Sequence, residues 1–356
     1  MIQMIQKPHF HRRALAVAVA SGALALIVAG CGGSSDASSA ASSGGSSKGA
    51  TNLNLVAYST PKAAYAALTA AFERTAAGQG VTFSQSFGAS GAQSRAVLAG
   101  QPADVVAFST APDVSALAKA GLVSSSWDSG PYQGNVADSV VVMVVRKGNP
   151  KHITGWSSLL APGVKVVTPN PSTSGSARWN ILAAYGAQLK LGKSPAQALA
   201  YVKALISQHT ATEPSSASTA LTAFTSGEGD VLLDYESDAI AAKKAGDPIQ
   251  YIIPPQTLLI QTPDAVLAKT KHARQATAFL HWLTSDQAQN IWAQQGYRPV
   301  VKSVLEKYSS EFPTPPQLFT INYLGGWTKA KSEFFDPTTG SITKIEQAAG
   351  VPTASG

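Results

Sequence analysis

Apolar residues in this chain follow two alternating patterns. Short runs of β-prone residues read as strands: Leu53-Asn-Leu-Val-Ala57, Val81-Thr-Phe-Ser-Gln-Ser86, Ala103–Phe108, Val164–Val167 and Gly229–Tyr235. Between them the apolar positions recur at steps of three and four. Lys62–Arg74 puts Ala64, Tyr65, Leu68 and Phe72 on one face, and Ala177–Leu189 does so with Trp179, Leu182, Ala183 and Tyr185. Further helices are predicted from about Ala92 to Leu98, over Asp113–Ala120, over Pro195–Ser207, through Ala220, Leu221 and Phe224, and over Glu236–Lys244. Arg274–Gln295 reads as one long amphipathic helix, and Lys329–Phe335 as helix on the outside. Strand and helix alternate throughout, which specifies an α/β fold with parallel-type sheets flanked by helices.

The most β-rich run, Ser139–Arg146, is long enough to cross between two lobes. Tyr251-Ile-Ile-Pro-Pro255 and Leu258-Leu-Ile260 supply a return crossing. The expected organisation is therefore two-lobed: lobe 1 from 51–145 and 256–310, lobe 2 from 146–255, and a C-terminal helical tail over 311–356. No internal repeat is visible.

The N-terminus follows different rules. Lys7, Arg12 and Arg13 precede an apolar stretch from Ala14 to Ala29, the pattern of an export signal over residues 1–30. That stretch is short for a lasting transmembrane helix. Cys31 is the only cysteine, so no intramolecular disulfide forms. Val28-Ala-Gly-Cys31 resembles the bacterial lipobox, which implies that Cys31 is lipidated and becomes the mature N-terminus. Residues 31–50 are almost entirely Gly, Ser and Ala, a flexible tether unable to bury a core. The expected product is extracytoplasmic, on the outer face of the bacterial cell membrane, and touches the membrane through its lipid alone.

Composition narrows the function. Of 356 residues 44% are hydrophobic and 13% charged, as in a weakly charged globular protein with ample core. The formal charge of +7 falls to +4 once the leader's three cations are set aside. So mild and scattered a surplus excludes a nucleic-acid footprint and suits a small anion.

Candidate chemistry gathers at three strand-to-helix turns: Gly88-Ala-Ser-Gly-Ala92, Ser172-Thr-Ser-Gly-Ser176 and Ser215-Ser-Ala-Ser-Thr219. Each offers hydroxyls and unhindered N–H groups at a helix start, where the backbone donors lack intrahelical partners and the dipole is positive. None contains Lys, Arg, Asp or Glu. In open α/β sheets such turns collect at the carboxyl ends of strands, where ligands bind. Together they could enclose a desolvated dianion with neutral donors; taken singly, each is also an ordinary capped turn.

Several stretches resemble the sulfate/thiosulfate-binding proteins of ABC importers. They are Val145-Arg-Lys-Gly-Asn-Pro-Lys151, Val167-Thr-Pro-Asn-Pro-Ser-Thr-Ser-Gly-Ser-Ala-Arg-Trp-Asn180, Gly229-Asp-Val-Leu-Leu233, Tyr297-Arg-Pro299 and Gly325-Gly-Trp327. The resemblance runs from about Leu53 to Glu346. It implies a periplasmic-binding-protein fold of the second type, two lobes closing on the ligand about two hinge crossings. It also implies a monomeric receptor working with a permease and an ATPase subunit. Carried over by position, it puts Ser90 on the anion through its hydroxyl, with Ser174 adding a hydroxyl. Gly175, Ser176 and Ala217 would give backbone N–H groups, and Arg178 would fix the loop from one shell out. Two positions depart from the family pattern. Ser59 stands where the family has aspartate, and Tyr235 replaces an indole donor, keeping an O–H.

A donor-only site suits sulfate, which carries no proton near neutral pH; hydrogen phosphate needs an acceptor, and a buried acceptor facing sulfate costs several kcal/mol. Glu213 and Asp234 lie near enough in sequence to leave phosphate open, and thiosulfate, molybdate and tungstate also satisfy the argument. The competing enzyme reading is Ser59-Thr-Pro-Lys62, a Ser-x-x-Lys motif of serine acyl transfer. Its Ser-Asp-Asn and Lys-Thr-Gly partners are missing from the chain. The histidines (His9, His11, His152, His209, His272, His281) are dispersed, so no metal and no cofactor is expected.

Overall fold

The computed structural model describes residues 50–353. The export signal, Cys31 and the tether up to residue 49 lie outside the described residues.

Nine strands form one hydrogen-bonded sheet among the described residues. They are β1 (Thr51–Tyr58), β2 (Val81–Gly88), β3 (Val105–Ala107), β4 (Asn135–Arg146), β5 (Val166–Val167), β6 (Thr210–Thr212), β7 (Val231–Tyr235), β8 (Ile249–Ile252) and β9 (Leu259–Val266). Their order is β2-β1-β3-β9-β4-β7-β5-β6, with β8 also on β4. The sheet has two parallel halves, β2-β1-β3 and β7-β5-β6, joined through the antiparallel pair of β4 and β9. Asn135–Val140 of β4 pairs with β9, and Val141–Val145 pairs with β7. One strand thus belongs to both halves.

Alternation along β4 shows why. Val140, Val142 and Val144 enter one core and Val141, Met143 and Val145 another, so the strand is buried on both faces and every residue from Val140 to Val145 is apolar. The helices α1 (Lys62–Phe72), α2 (Ser90–Leu98), α3 (Ala111–Lys119), α4 (Gly175–Lys190), α5 (Pro195–Ala204), α6 (Ala217–Thr225), α7 (Glu236–Ala245), α8 (Ala273–Trp282), α9 (Asp286–Gln294) and α10 (Lys302–Lys307) cover these faces. Around β1, Leu53, Leu55 and Ala57 pack on α1, α8 and α9, while Val56 faces Val97 of α2 and Leu117 of α3. In the other half, Trp179 and Leu182 of α4 cover one face, Phe224 of α6 and Ala239 of α7 the opposite one.

Three features differ from the sequence expectation. The return crossing is β9; Tyr251 and Ile252 belong to β8, a separate strand on β4. Pro254 and Pro255, which cannot donate to a ladder, break the chain between them. The long helix over Arg274–Gln295 is two, because Ser285 caps α9 by accepting from the Ala288 N–H at 3.3 Å. The C-terminal α11 (Gly326–Phe334) and α12 (Ser341–Ala348) join the core around Trp179 together with Phe319. Gly186 of α4 permits that approach, since a Cβ there would lie 2.4 Å from the Phe319 ring.

Candidate functional site

The three Ser/Gly turns meet. Gly91 at the start of α2 donates its N–H to the Thr173 carbonyl at 3.2 Å, and Thr173 Oγ1 donates to the Ser215 carbonyl at 2.7 Å. These contacts tie the beginnings of α2, α4 and α6 together, although the residues come from both halves of the sheet.

A fourth turn, between β3 and α3, sits at the junction. The Ser109 N–H donates to Ser90 Oγ at 3.0 Å, and the Trp179 indole donates to the Ser109 carbonyl at 2.7 Å. Ser109 Oγ lies 2.6 Å from the Tyr235 hydroxyl, either oxygen being able to donate. Gly175 opens α4 directly against this turn: a Cβ there would be 2.6 Å from Ser109 Oγ, 2.8 Å from Ser109 Cβ and 2.9 Å from Thr110 Cγ2. In the sequence Asp113 marks only a helix start, and Ser109 and Thr110 carry no expectation of their own. The available signal was the Thr110-x-x-Asp113 spacing of a capping box.

Asp113 changes the role of Ser90. Ser90 is first in α2, is buried, and donates its hydroxyl to Asp113 Oδ2 at 2.6 Å. Thr110 Oγ1 donates to the same oxygen at 2.9 Å, and Arg178 Nη1 faces Asp113 Oδ1 at 3.5 Å. The one hydroxyl hydrogen of Ser90, expected from the sequence to point at an anion, is engaged by Asp113 in this structure, while its backbone N–H stands at the first position of α2. Arg178 also donates from Nε to the Pro171 carbonyl at 3.0 Å, which pins the loop before α4.

The other expected residues are placed as follows. Ser174 is the N-cap of α4 and is buried, with its hydroxyl bound to no described residue. The Ser176 hydroxyl is buried without a partner. Gly175, Ser176 and Ala217 occupy first-turn positions of α4 and α6, where N–H groups have no intrahelical acceptor. Tyr235 ends β7 as the N-cap of α7 and is fully buried. Ser59 follows β1 and is only half-buried, and no hydrogen bond joins it to the other turns. Lys62 is exposed at the start of α1, and no hydrogen bond activates Ser59, so the acyl-transfer pair is not assembled.

Burial sets the protonation of the surrounding acids. Asp234, wholly buried, is held well above the usual carboxylate range by desolvation and then by Asp238. Asp238 is pushed up to about 7, again by burial. Burial likewise raises the Tyr235 phenol well above its ordinary value, keeping its hydrogen in place. Glu213 neighbours Glu346 and is raised to about 9, by burial and then by that second carboxyl. Beside the helix starts, Asp234 is thus proton-bearing near neutral pH, and Asp113 accepts from Ser90 and Thr110.

Comparison with known proteins identifies the family. A family model described as bacterial extracellular solute-binding protein matches residues 53–298. A sulfate-binding protein of Synechococcus elongatus is 38% identical over 348 residues, 95% of this chain and 97% of the relative. A thiosulfate-binding protein of Pseudomonas aeruginosa is 34% identical over 268 residues, 73% of this chain and 81% of the relative. The solved structure of the sulfate-binding protein SubI from Mycobacterium tuberculosis superposes with a TM-score of 0.79 at 44% identity, covering 80% of this chain and all of that one.

Proposed function

We propose that this chain, which belongs to the bacterial extracellular solute-binding protein family, is a receptor that captures sulfate and delivers it to an ABC importer. It is a binding protein and not an enzyme. The observation that carries the reading is the junction of the α2, α4 and α6 starts around Ser109. There the donors are neutral, and the one carboxylate in contact, Asp113, accepts from Ser90 and Thr110 and faces Arg178.

In this reading the backbone N–H groups of Ser90, Gly175, Ser176 and Ala217 and the Ser174 hydroxyl donate to the anion. Each such bond is charge-assisted and roughly twice the strength of a neutral one. With Ser109 donating to Tyr235, the phenol hydrogen is left for the ligand. Ser59 adds its N–H at the end of β1. Arg178 stays behind the loop, fixing Pro171 and balancing Asp113. A dianion without protons fits such a lining, and an anion that must donate a hydrogen finds no free acceptor. Thiosulfate shares that property and is the second reading, supported by the Pseudomonas relative.

The two halves of the sheet are assigned as lobes, 51–145 with 256–310 and 146–255, hinged at β4 and β9, the tail 311–356 packing on the second. No helix among the described residues is long and apolar enough to cross a membrane. Attachment is assigned to a lipid on Cys31, working beside the importer's permease and ATPase subunits. Calorimetric titration with sulfate, thiosulfate, molybdate and phosphate tests the receptor: sulfate and thiosulfate should bind one per chain, phosphate should not compete, and absence of heat with all four would refute it. Cys31→Ala should move the protein out of the membrane fraction; its retention there would refute the anchor.

A further inference from the structure

A separate cavity opens against the loop from Pro171 to Ser172, beside the junction just described, and has a charge pattern of its own. Its volume is about 180 Å³, well beyond the roughly 10–15 Å³ that admits one water on the same measure. Cations from three helices line it: Arg95 of α2, Arg178 of α4 and Lys331 of α11. Among the described residues Arg95 and Lys331 form no ion pair, and Arg178 has only Asp113 at 3.5 Å. The cavity wall also holds an acid. Glu346 of α12 is 1% exposed, and neither of its carboxyl oxygens receives a hydrogen bond.

We propose that this cavity is a second anion site, independent of the sulfate site, for a small oxyanion that still carries a proton, of the hydrogen phosphate class. The three cations supply the attraction, and Arg178 and Arg95 can each present a planar fork to oxyanion oxygens. Glu346 supplies what the junction of helix starts lacks, an acceptor for the anion's own O–H. A buried acceptor left without a donor is costly, so the wall favours a ligand that donates and disfavours one that cannot. Burial raises both acids of the adjoining pair, Glu213 to about 9 and Glu346 to about 7, so Glu213 holds its proton and Glu346 is the first to give one up and become the acceptor. The two sites would then sort anions by protonation: donors alone inside, donors with one acceptor outside.

The test is equilibrium dialysis of the detergent-solubilised full chain with radiolabelled inorganic phosphate at neutral pH, in saturating sulfate. One phosphate per chain should be retained while sulfate remains bound. The double variant Arg95→Gln, Lys331→Gln should lose phosphate affinity by about tenfold or more, about 1.4 kcal/mol, with sulfate affinity unchanged. Glu346→Gln, which removes the charged acceptor at nearly constant shape, should lower phosphate affinity and admit a second sulfate. Phosphate retention abolished by sulfate, or unaltered in the double variant, would overturn the site; an unaltered phosphate-to-sulfate preference in Glu346→Gln would overturn its acceptor. Sulfate binding is read in the same samples, so failure of the receptor assignment is distinguishable from failure of this one.

Discussion

Replacing Gly175 by alanine tests whether the helix starts close on the ligand from two sides. Gly175 belongs to α4, whereas Ser109 and Thr110, which it touches, belong to the turn after β3 in the other half of the sheet. An added methyl would meet Ser109 Cβ at 2.8 Å and Thr110 Cγ2 at 2.9 Å. Rotating Ser109 removes its Oγ from the path but leaves both carbons. The turn or the helix must therefore retreat by more than half an ångström to reach the about 3.5–4.0 Å of a relaxed carbon contact. Overpacking of this size costs about 1–3 kcal/mol. Because the contact spans the two halves, that cost falls on the closed form and is absent when they part. Gly175 has no positive φ, so alanine fits its backbone and should hold or slightly raise the stability of the anion-free protein. The expected result is sulfate affinity lowered by about 5- to 150-fold in calorimetric titration, with an unchanged or higher unfolding midpoint without anion. Unchanged affinity, or an equal loss of stability without anion, would refute the interlobe reading.

Three further outcomes follow from the same contacts. Ser174→Ala should weaken sulfate binding by about 1.5–3 kcal/mol, the scale of a hydrogen bond to a charged group; unaltered affinity would make this N-cap purely structural. Arg298 grips Glu236 through two bonds of 2.6 and 3.0 Å in a buried site, so Arg298→Met should cost about 3–5 kcal/mol in urea unfolding by stranding the carboxylate, and a loss below about 1 kcal/mol would show that the pair is dispensable. The shielded carboxyls of Glu213 and Glu346 keep protons up to about 9 and about 7, against 4.5 for a free glutamate. The folded state then binds more protons than the unfolded one across that interval, so this contribution is present below it and is lost as pH rises through it. Glu213→Gln should make the fall of the unfolding midpoint between acid and alkaline pH shallower, and an identical slope would contradict the assignment.

Elements that announce themselves locally were legible in the sequence. The Ser/Gly turns before α2, α4 and α6 carry their own start signals, and the valine run of β4 could serve only a strand buried on both faces. Ser285 was equally readable as a cap, yet the apolar periodicity on either side of it suggested one helix. What stayed hidden depends on distance along the chain. Asp113 reaches Ser90 across 23 residues and Ser109 meets Tyr235 across 126. No local pattern distinguishes a hydroxyl that will hold an anion from one that will donate to a carboxylate in another turn. Ser90 is the instance: its place at a helix start was readable, and the fate of its hydrogen was not. Glu213 likewise neighbours Glu346, a pairing that only the packing of α12 creates.

The central claim is that neutral donors at converging helix starts hold the anion, with the guanidinium of Arg178 kept behind them. Anomalous diffraction from crystals soaked in selenate, an isostere of sulfate, would locate the bound anion directly. The expected result is a selenium peak enclosed by Ser174, Gly175, Ser176, Ala217 and Tyr235, with no Lys or Arg side chain in contact. A peak resting on Arg95, Arg178 or Lys331, with the junction of helix starts empty, would contradict it.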